Sequence, residues 1–283
     1  MPNLHVYGDS YVESPMPDYL RLVKSGEQPG PWYYEVGKGL DVDEMYVHGV
    51  MGFSNESIYD KWKANLHQIK PGDYVIVVMT EVNRRWFFPE YPEFSNLALK
   101  GKEHFFKKEE VVAINQYLKY LDNPSVGPIM ADTISQTIGF NCMQIGVEHA
   151  LIIPGFAAVE PYTYSPYTKN VGNLGLPCFA EFISDKVYQG CMANTESVDA
   201  RLNHLSWVNH EVMARKALAS IKLGKDLDLT TGFETNIFTK PEQFTDLNKE
   251  VRQYWDAAYD PGTGKRILEK ERNKGLQYDK IVV

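Results

Sequence analysis

Two short stretches near opposite ends of the chain hold residue types that could do nucleophilic chemistry together. The first is Leu4-His5-Val6-Tyr7-Gly8-Asp9-Ser10-Tyr11, an apolar alternation that runs into a glycine, an acid and a serine. The second runs from Asp199 to His210 and contains His204-Leu205-Ser206. A serine hydroxyl is a weak nucleophile at neutral pH and needs an adjacent base, which an imidazole with an ordinary pKa of about 6.5 can be. Ser10 is therefore the candidate nucleophile and His204 the candidate base. Asp199 is the acid in that stretch that could hold the imidazole in the right tautomer.

The elements around Ser10 read as a strand and a turn. Leu4, Val6 and Tyr7 are strand-forming types and Gly8-Asp9 is a turn signal, so Ser10 is expected where the first strand ends and the backbone turns. Glu13 to Gly39 is dense in Pro and Gly and reads as loop, with one short helical turn around Asp18 to Val23. A second strand is expected over Asp43 to His48. Gly49 and Gly52 break it, and Ile58, Trp62, Leu66 and Ile69 then recur at helical spacing behind Ser54 or Asn55 as N-cap. Backbone amides at such a loop and helix start can stabilise an anion, although a plain strand-to-helix connection has the same composition.

Tyr74 to Met79 is the most strand-like run in the chain, and its unbroken apolar character suits a central strand covered on both faces. It ends in Thr80-Glu81-Val82-Asn83-Arg84-Arg85, whose arginines, in an acidic protein, are expected to pair with carboxylates or a substrate anion. An irregular insertion spans roughly 85–110. Val111, Ile114, Leu118 and Leu121 mark a helix, and another is expected from Pro128 through Ile145. His149 to Ile153 reads as a fourth strand, and 156–177 as a long loop of Tyr, Pro, Gly and Asn. Val208, Val212, Ala217 and Ile221 give a helical stripe behind Ser206, which leaves His204 in the loop before that helix and His210 inside it. A metal site of Asp199, His204 and His210 lacks the helical i, i+4 spacing and a further strong ligand.

Composition narrows the classes. The 283 residues are 43% hydrophobic, enough for a full core in one large domain. A formal charge of −8 argues against a nucleic-acid partner, because phosphate binding needs a basic surface. No run reaches membrane-helix length and the start carries no signal-peptide pattern, so a cytoplasmic protein without a membrane partner is expected. Cys142, Cys178 and Cys191 have no CxxC spacing, which suits reduced thiols.

Taken together, Gly8-Asp9-Ser10-Tyr11 after an N-terminal strand, Gly52-Phe53-Ser54-Asn55 before a helix, and His204-Leu205-Ser206 near the end resemble the SGNH, or GDSL-type, hydrolase family over about residues 3–222. The resemblance implies a three-layer α/β/α fold, flavodoxin-like, with a mainly parallel sheet of about five strands. It also implies hydrolysis of esters, commonly O-acetyl groups, with no metal or organic cofactor. Ser10 matches the family nucleophile and His204 its base. Gly52 matches the oxyanion donor, with Asn55 as the alternative, and Asn83 stands for the asparagine donor. Two departures stand out. The third block, usually Gly-x-Asn-Asp, is Met79-Thr80-Glu81-Val82-Asn83-Arg84. The acid normally three residues before the histidine is replaced by Arg201, so the nearest acid is Asp199.

Two functional classes follow. One is a serine esterase or O-acetyl deacetylase acting on a small ester or an acetylated carbohydrate, with the aromatic loop Pro161 to Tyr167 as a sugar-stacking wall. The other is a binding or structural module that retains the fold without the chemistry, and the altered third block and Arg201 speak for it. The expected organisation is a 1–225 hydrolase-like domain and a 226–283 extension, which carries a helix around Glu242 to Ala258. The extension packs on the domain or on a partner subunit of a homo-oligomer.

Overall fold

The computed structural model describes residues 2–13, 30–50, 52–82, 84–87, 107–123, 125–153, 170–171, 205, 207–224, 227–229, 231–233 and 280–282. In chain order these form β1 (Leu4–Glu13), α1 (Trp32–Leu40), β2 (Glu44–Gly49), α2 (Asn55–Asn65) and β3 (Tyr74–Val78). They continue as α3 (Lys108–Tyr120), α4 (Val126–Ile145), β4 (His149–Ile153), β5 (Asn170–Val171), α5 (Trp207–Leu223), β6 (Leu227–Asp228) and β7 (Lys280–Val282).

The fold is mixed α/β. Strands β4, β3, β1 and β2 lie side by side in that order, all parallel, and β7 pairs antiparallel with the far edge of β2. A parallel pair needs a crossover, and α2 and α4 follow β2 and precede β4 as crossovers require. The short β5 and β6 pair with each other in a separate two-stranded ladder.

Strand alternation gives the sheet two different faces. Leu4 and Val6 share one face with Met45, Val47, Ile76, Val78, Leu151 and Ile153, and that face is buried with Trp32, Val36, Met213 and Ala217 of α1 and α5. The opposite face carries Tyr7, Val75, Val77 and Ile152 against Ile58 and Trp62 of α2 and Ala131, Ile134 and Ile138 of α4. Helices thus cover both sides of the central strands, which is why β3 reads as an unbroken apolar run.

Three elements differ from the sequence reading: strand β5, at Asn170–Val171, falls inside the stretch 156–177 expected to be loop, and helices α1 and α4 depart as follows. Helix α1 occupies part of the stretch expected to be loop; its buried Trp32, Val36 and Leu40 recur every four residues, but Gly37 and Gly39 dilute the pattern. Gly37 is tolerated because it faces Met45 closely: a Cβ there would sit 2.9 Å from the Met45 methyl carbon. Helix α4 begins at Val126, two residues before Pro128, because a proline fits anywhere in the first turn, where N–H groups have no helical acceptor. The helical turn expected at Asp18 to Val23 and the helix at Glu242 to Ala258 lie outside the described residues.

On the second face, β1 and β2 present a ladder of rings. His5 stacks on Tyr46 with centroids 4.8 Å apart, and Tyr7 stacks on His48 at 4.4 Å and meets Trp62 edge-on at 5.2 Å. His5 also meets Asp73 through Nε2 at 3.2 Å. Burial pushes the His48 pKa down to about 3, with His5 and Lys61 adding to the effect. It also lowers His5, against the pull of Asp73. Both rings are therefore neutral in the fold at neutral pH. In the unfolded chain they titrate near about 6.5, so below that pH the unfolded state binds protons that the native His48 refuses down to about pH 3. The stabilising contribution is complete above about pH 6.5 and is lost as pH falls through this window, by up to about 1.4 kcal/mol per pH unit for one histidine. Urea denaturation of His48→Phe between pH 7 and pH 5 is expected to show a shallower loss of stability than wild type. Equal slopes would show that His48 does not titrate on unfolding.

Candidate active site at the carboxyl ends of the parallel strands

Ser10 lies in the one irregular stretch of β1. The strand pairs regularly with β2 up to Gly8 opposite Gly49, and Glu13 then faces the same Gly49, so residues 9–12 form an excursion from the ladder. The sequence reading placed Ser10 at the strand's end; the strand instead resumes pairing after the excursion. Gly8 makes this fold-back possible, since a Cβ there would sit 2.6 Å from Val12 Cγ2 and 2.9 Å from the Val78 carbonyl oxygen.

The carboxylate of Asp9, next to Ser10, is fully buried. Its Oδ1 accepts the Tyr11 backbone N–H at 3.2 Å, a turn that spans Ser10. Its Oδ2 accepts the Thr80 hydroxyl at 2.8 Å and an Arg84 N–H at 3.4 Å. Arg84 also faces Glu81 at 3.6 Å, and Arg85 faces Asp122 at 3.6 Å, so both arginines pair with carboxylates as the acidic composition suggests.

Thr80 is itself clamped from the second block. The Asn55 side chain accepts the Thr80 N–H at 2.8 Å and donates to the Thr80 carbonyl at 3.2 Å. Ser54 is the N-cap of α2, accepting from the Ser57 N–H, and Glu56 in the first turn complements the helix dipole. Gly52 precedes this start with φ +83°, a left-handed conformation that favours glycine. The Asn55 side chain thus ties α2 to the end of β3, while Gly52 shapes the loop between β2 and α2.

Of the histidine stretch, Leu205 and residues 207–224 are described, and they meet the Ser10 excursion by a different route. Helix α5 begins at Trp207, and Leu205 is buried in the cluster that includes Tyr11 and Val12. His210 Nδ1 accepts the backbone N–H of Trp32 at 3.1 Å, which satisfies a donor at the start of α1. The Trp32 indole N–H donates to the Tyr11 carbonyl at 3.1 Å. Trp32 therefore links the helix after the His204 block to the excursion that contains Ser10. His210, weighed above as a metal ligand, uses Nδ1 for the backbone instead.

Among the predicted site residues, the structure gives Gly52 and Asn55 in full and the backbone of Ser10, whereas Asn83, Asp199, His204 and the Ser206 N-cap lie outside the described residues. Sequence reasoning missed Thr80 and Trp32. For Thr80 the signal was a hydroxyl residue at the end of the central strand, opposite the acid before Ser10. Among the described residues no group of three or more His, Cys, Asp or Glu side chains is arranged to hold a metal ion, and no helix is long and apolar enough to cross a membrane. No family model matches the chain, and a search of curated proteins returned no match.

The Asn55 clamp has a measurable worth. Asn55→Ala removes both of its bonds to the buried Thr80 backbone, and leaving such groups unmet costs about 1–3 kcal/mol. Urea denaturation is expected to show a loss in that range; no change in midpoint would mean that water replaces the amide.

Proposed function

We propose that the protein is a serine hydrolase of the SGNH type, an esterase or O-acetyl deacetylase that acts on a small acyl ester, possible substrates including an acetylated carbohydrate. The observation that carries this reading is the meeting, through Trp32, of the Ser10 excursion with the helix that follows the His204 block. The three-layer arrangement of that family is in keeping with helices on both faces of the parallel strands.

On this reading Ser10 Oγ attacks the acyl carbon while His204 takes its proton. The oxyanion is met by the Ser10 and Gly52 amides and by the Asn83 side chain. Collapse expels the alcohol, which receives the proton from His204, and water then repeats the sequence to release the acid. Asp199 accepts the other imidazole N–H and stabilises the imidazolium. Asn55, engaged with Thr80, serves to hold the oxyanion loop. No cofactor enters these steps.

The test is hydrolysis of an activated acetyl ester by the wild type and by Ser10→Ala. Turnover that the substitution abolishes is expected; equal rates would favour a non-catalytic binding module. Asp199→Asn is expected to lower kcat by at least about 100-fold with folding intact, on the scale of triad acids elsewhere. Wild-type kcat in that variant would assign the orienting role to another group.

A further inference from the structure

We infer that Asp9 is a positioning residue for Ser10, and that the Thr80 hydroxyl sets its place. The inference rests on the serine-hydrolase reading and names a determinant of that site that lies outside the triad and the oxyanion donors. An ionised carboxylate removed from water must be met by donors, and the donors it finds decide where it sits. Asp9 has no exposed surface. One oxygen holds the N–H of Tyr11, so its side chain grips the backbone on the far side of Ser10. The other oxygen is held by Thr80 and Arg84, both at the end of the neighbouring strand. Thr80 in turn is held at its N–H and carbonyl by Asn55, three residues after Gly52. Asn55, Thr80, Asp9 and Tyr11 thus form one hydrogen-bonded chain from the oxyanion loop to the nucleophile.

Arg84 does not suit the alternative role of a substrate-anion receptor. Its guanidinium lies between Asp9 and Glu81, at 3.4 and 3.6 Å, so its charge is already matched by two carboxylates. Its position completes the buried carboxylate's neutralisation, and Thr80 supplies the shorter bond at 2.8 Å.

The chemistry separates hydroxyl from shape. Thr80→Val keeps the volume and removes the donor, whereas Thr80→Ser keeps the donor and removes the methyl. The rate at which a fluorophosphonate labels Ser10, with Oγ displacing fluoride from phosphorus, is read by mass spectrometry, alongside kcat and KM for an activated acetyl ester. Thr80→Val is expected to slow labelling and lower kcat roughly 10- to 100-fold, the scale of a misplaced reacting group, with KM little changed. Thr80→Ser is expected to restore both. A normal Thr80→Val with an impaired Thr80→Ser would show that Thr80 only packs, and would overturn the inference. If Thr80→Val does not give a cooperative thermal transition, Arg84→Gln decides: slower labelling supports the inference and wild-type labelling overturns it. Failure of the wild type to be labelled at Ser10 would instead bring down the serine-hydrolase reading, and the inference with it.

Discussion

The buried carboxylate of Asp9 is the constraint on which the carboxyl end of the sheet depends. A charge without solvent contact is tolerable only where several donors converge, and here they come from the residue two places on, the end of β3 and an arginine beyond it. Because Asn55 fixes the backbone of Thr80, the start of α2 is bound to the same centre. The excursion after Gly8, the end of β3 and the loop after β2 are therefore one hydrogen-bonded unit. Parallel strands bring such loops to a common edge, but edge proximity alone leaves each loop free to move; the Asp9 network makes their separations definite.

Beneath this edge the sheet divides its labour. The face under α1 and α5 is aliphatic, with Leu4, Val6, Met45, Val47, Ile76 and Val78 in interlocking rows. The face toward α2 and α4 carries a line of stacked rings between β1 and β2, in which His5, Tyr7, Tyr46 and His48 take the places that branched aliphatics hold elsewhere. Neutral imidazoles can be buried there because stacking and the bond to Asp73 offset part of their lost hydration. The outcome is a base for β1 whose stability depends on pH, with His48 one residue before Gly49, the register partner of Gly8 and Glu13.

What could be read from the sequence follows from how local the signal was. The four parallel strands announced themselves by apolar runs, and β4 at His149–Ile153 has the bounds expected from its residues. Helix α5 likewise follows its stripe of apolar positions. Helix α1 escaped because it sits at the end of a stretch dense in Pro and Gly and carries Gly37 and Gly39 itself, which hid the four-residue spacing of its buried Trp32, Val36 and Leu40. At the site, the residue types near Ser10 and Gly52 singled out two loops that the structure joins through Asn55, Thr80 and Asp9, but Asn55 read as N-cap or alternative oxyanion donor, and its bonds to the Thr80 backbone reach a residue 25 positions away. The Trp32 link was illegible for a related reason: it joins residues far apart in sequence, through a backbone N–H and a carbonyl that every residue possesses.

That link bears on how the Ser10 excursion and helix α5, distant in sequence, are kept in step. Trp32 has no exposed surface, and its two N–H groups point to different segments, the backbone one to His210 in α5 and the indole one to Tyr11 beside Ser10. A displacement of α5 relative to β1 must stretch one of these bonds or shift a fully buried indole within a close-packed core. The histidine accepting from Trp32 must leave Nδ1 unprotonated, so its proton resides on Nε2 in the neutral form. Protonation of that ring would turn the acceptor into a donor facing an N–H at the positive end of α1, and the helix and the ring would then repel. The contact therefore selects the neutral ring as well as the geometry, and the segment after His204 is seated on α1 by a bond that requires both.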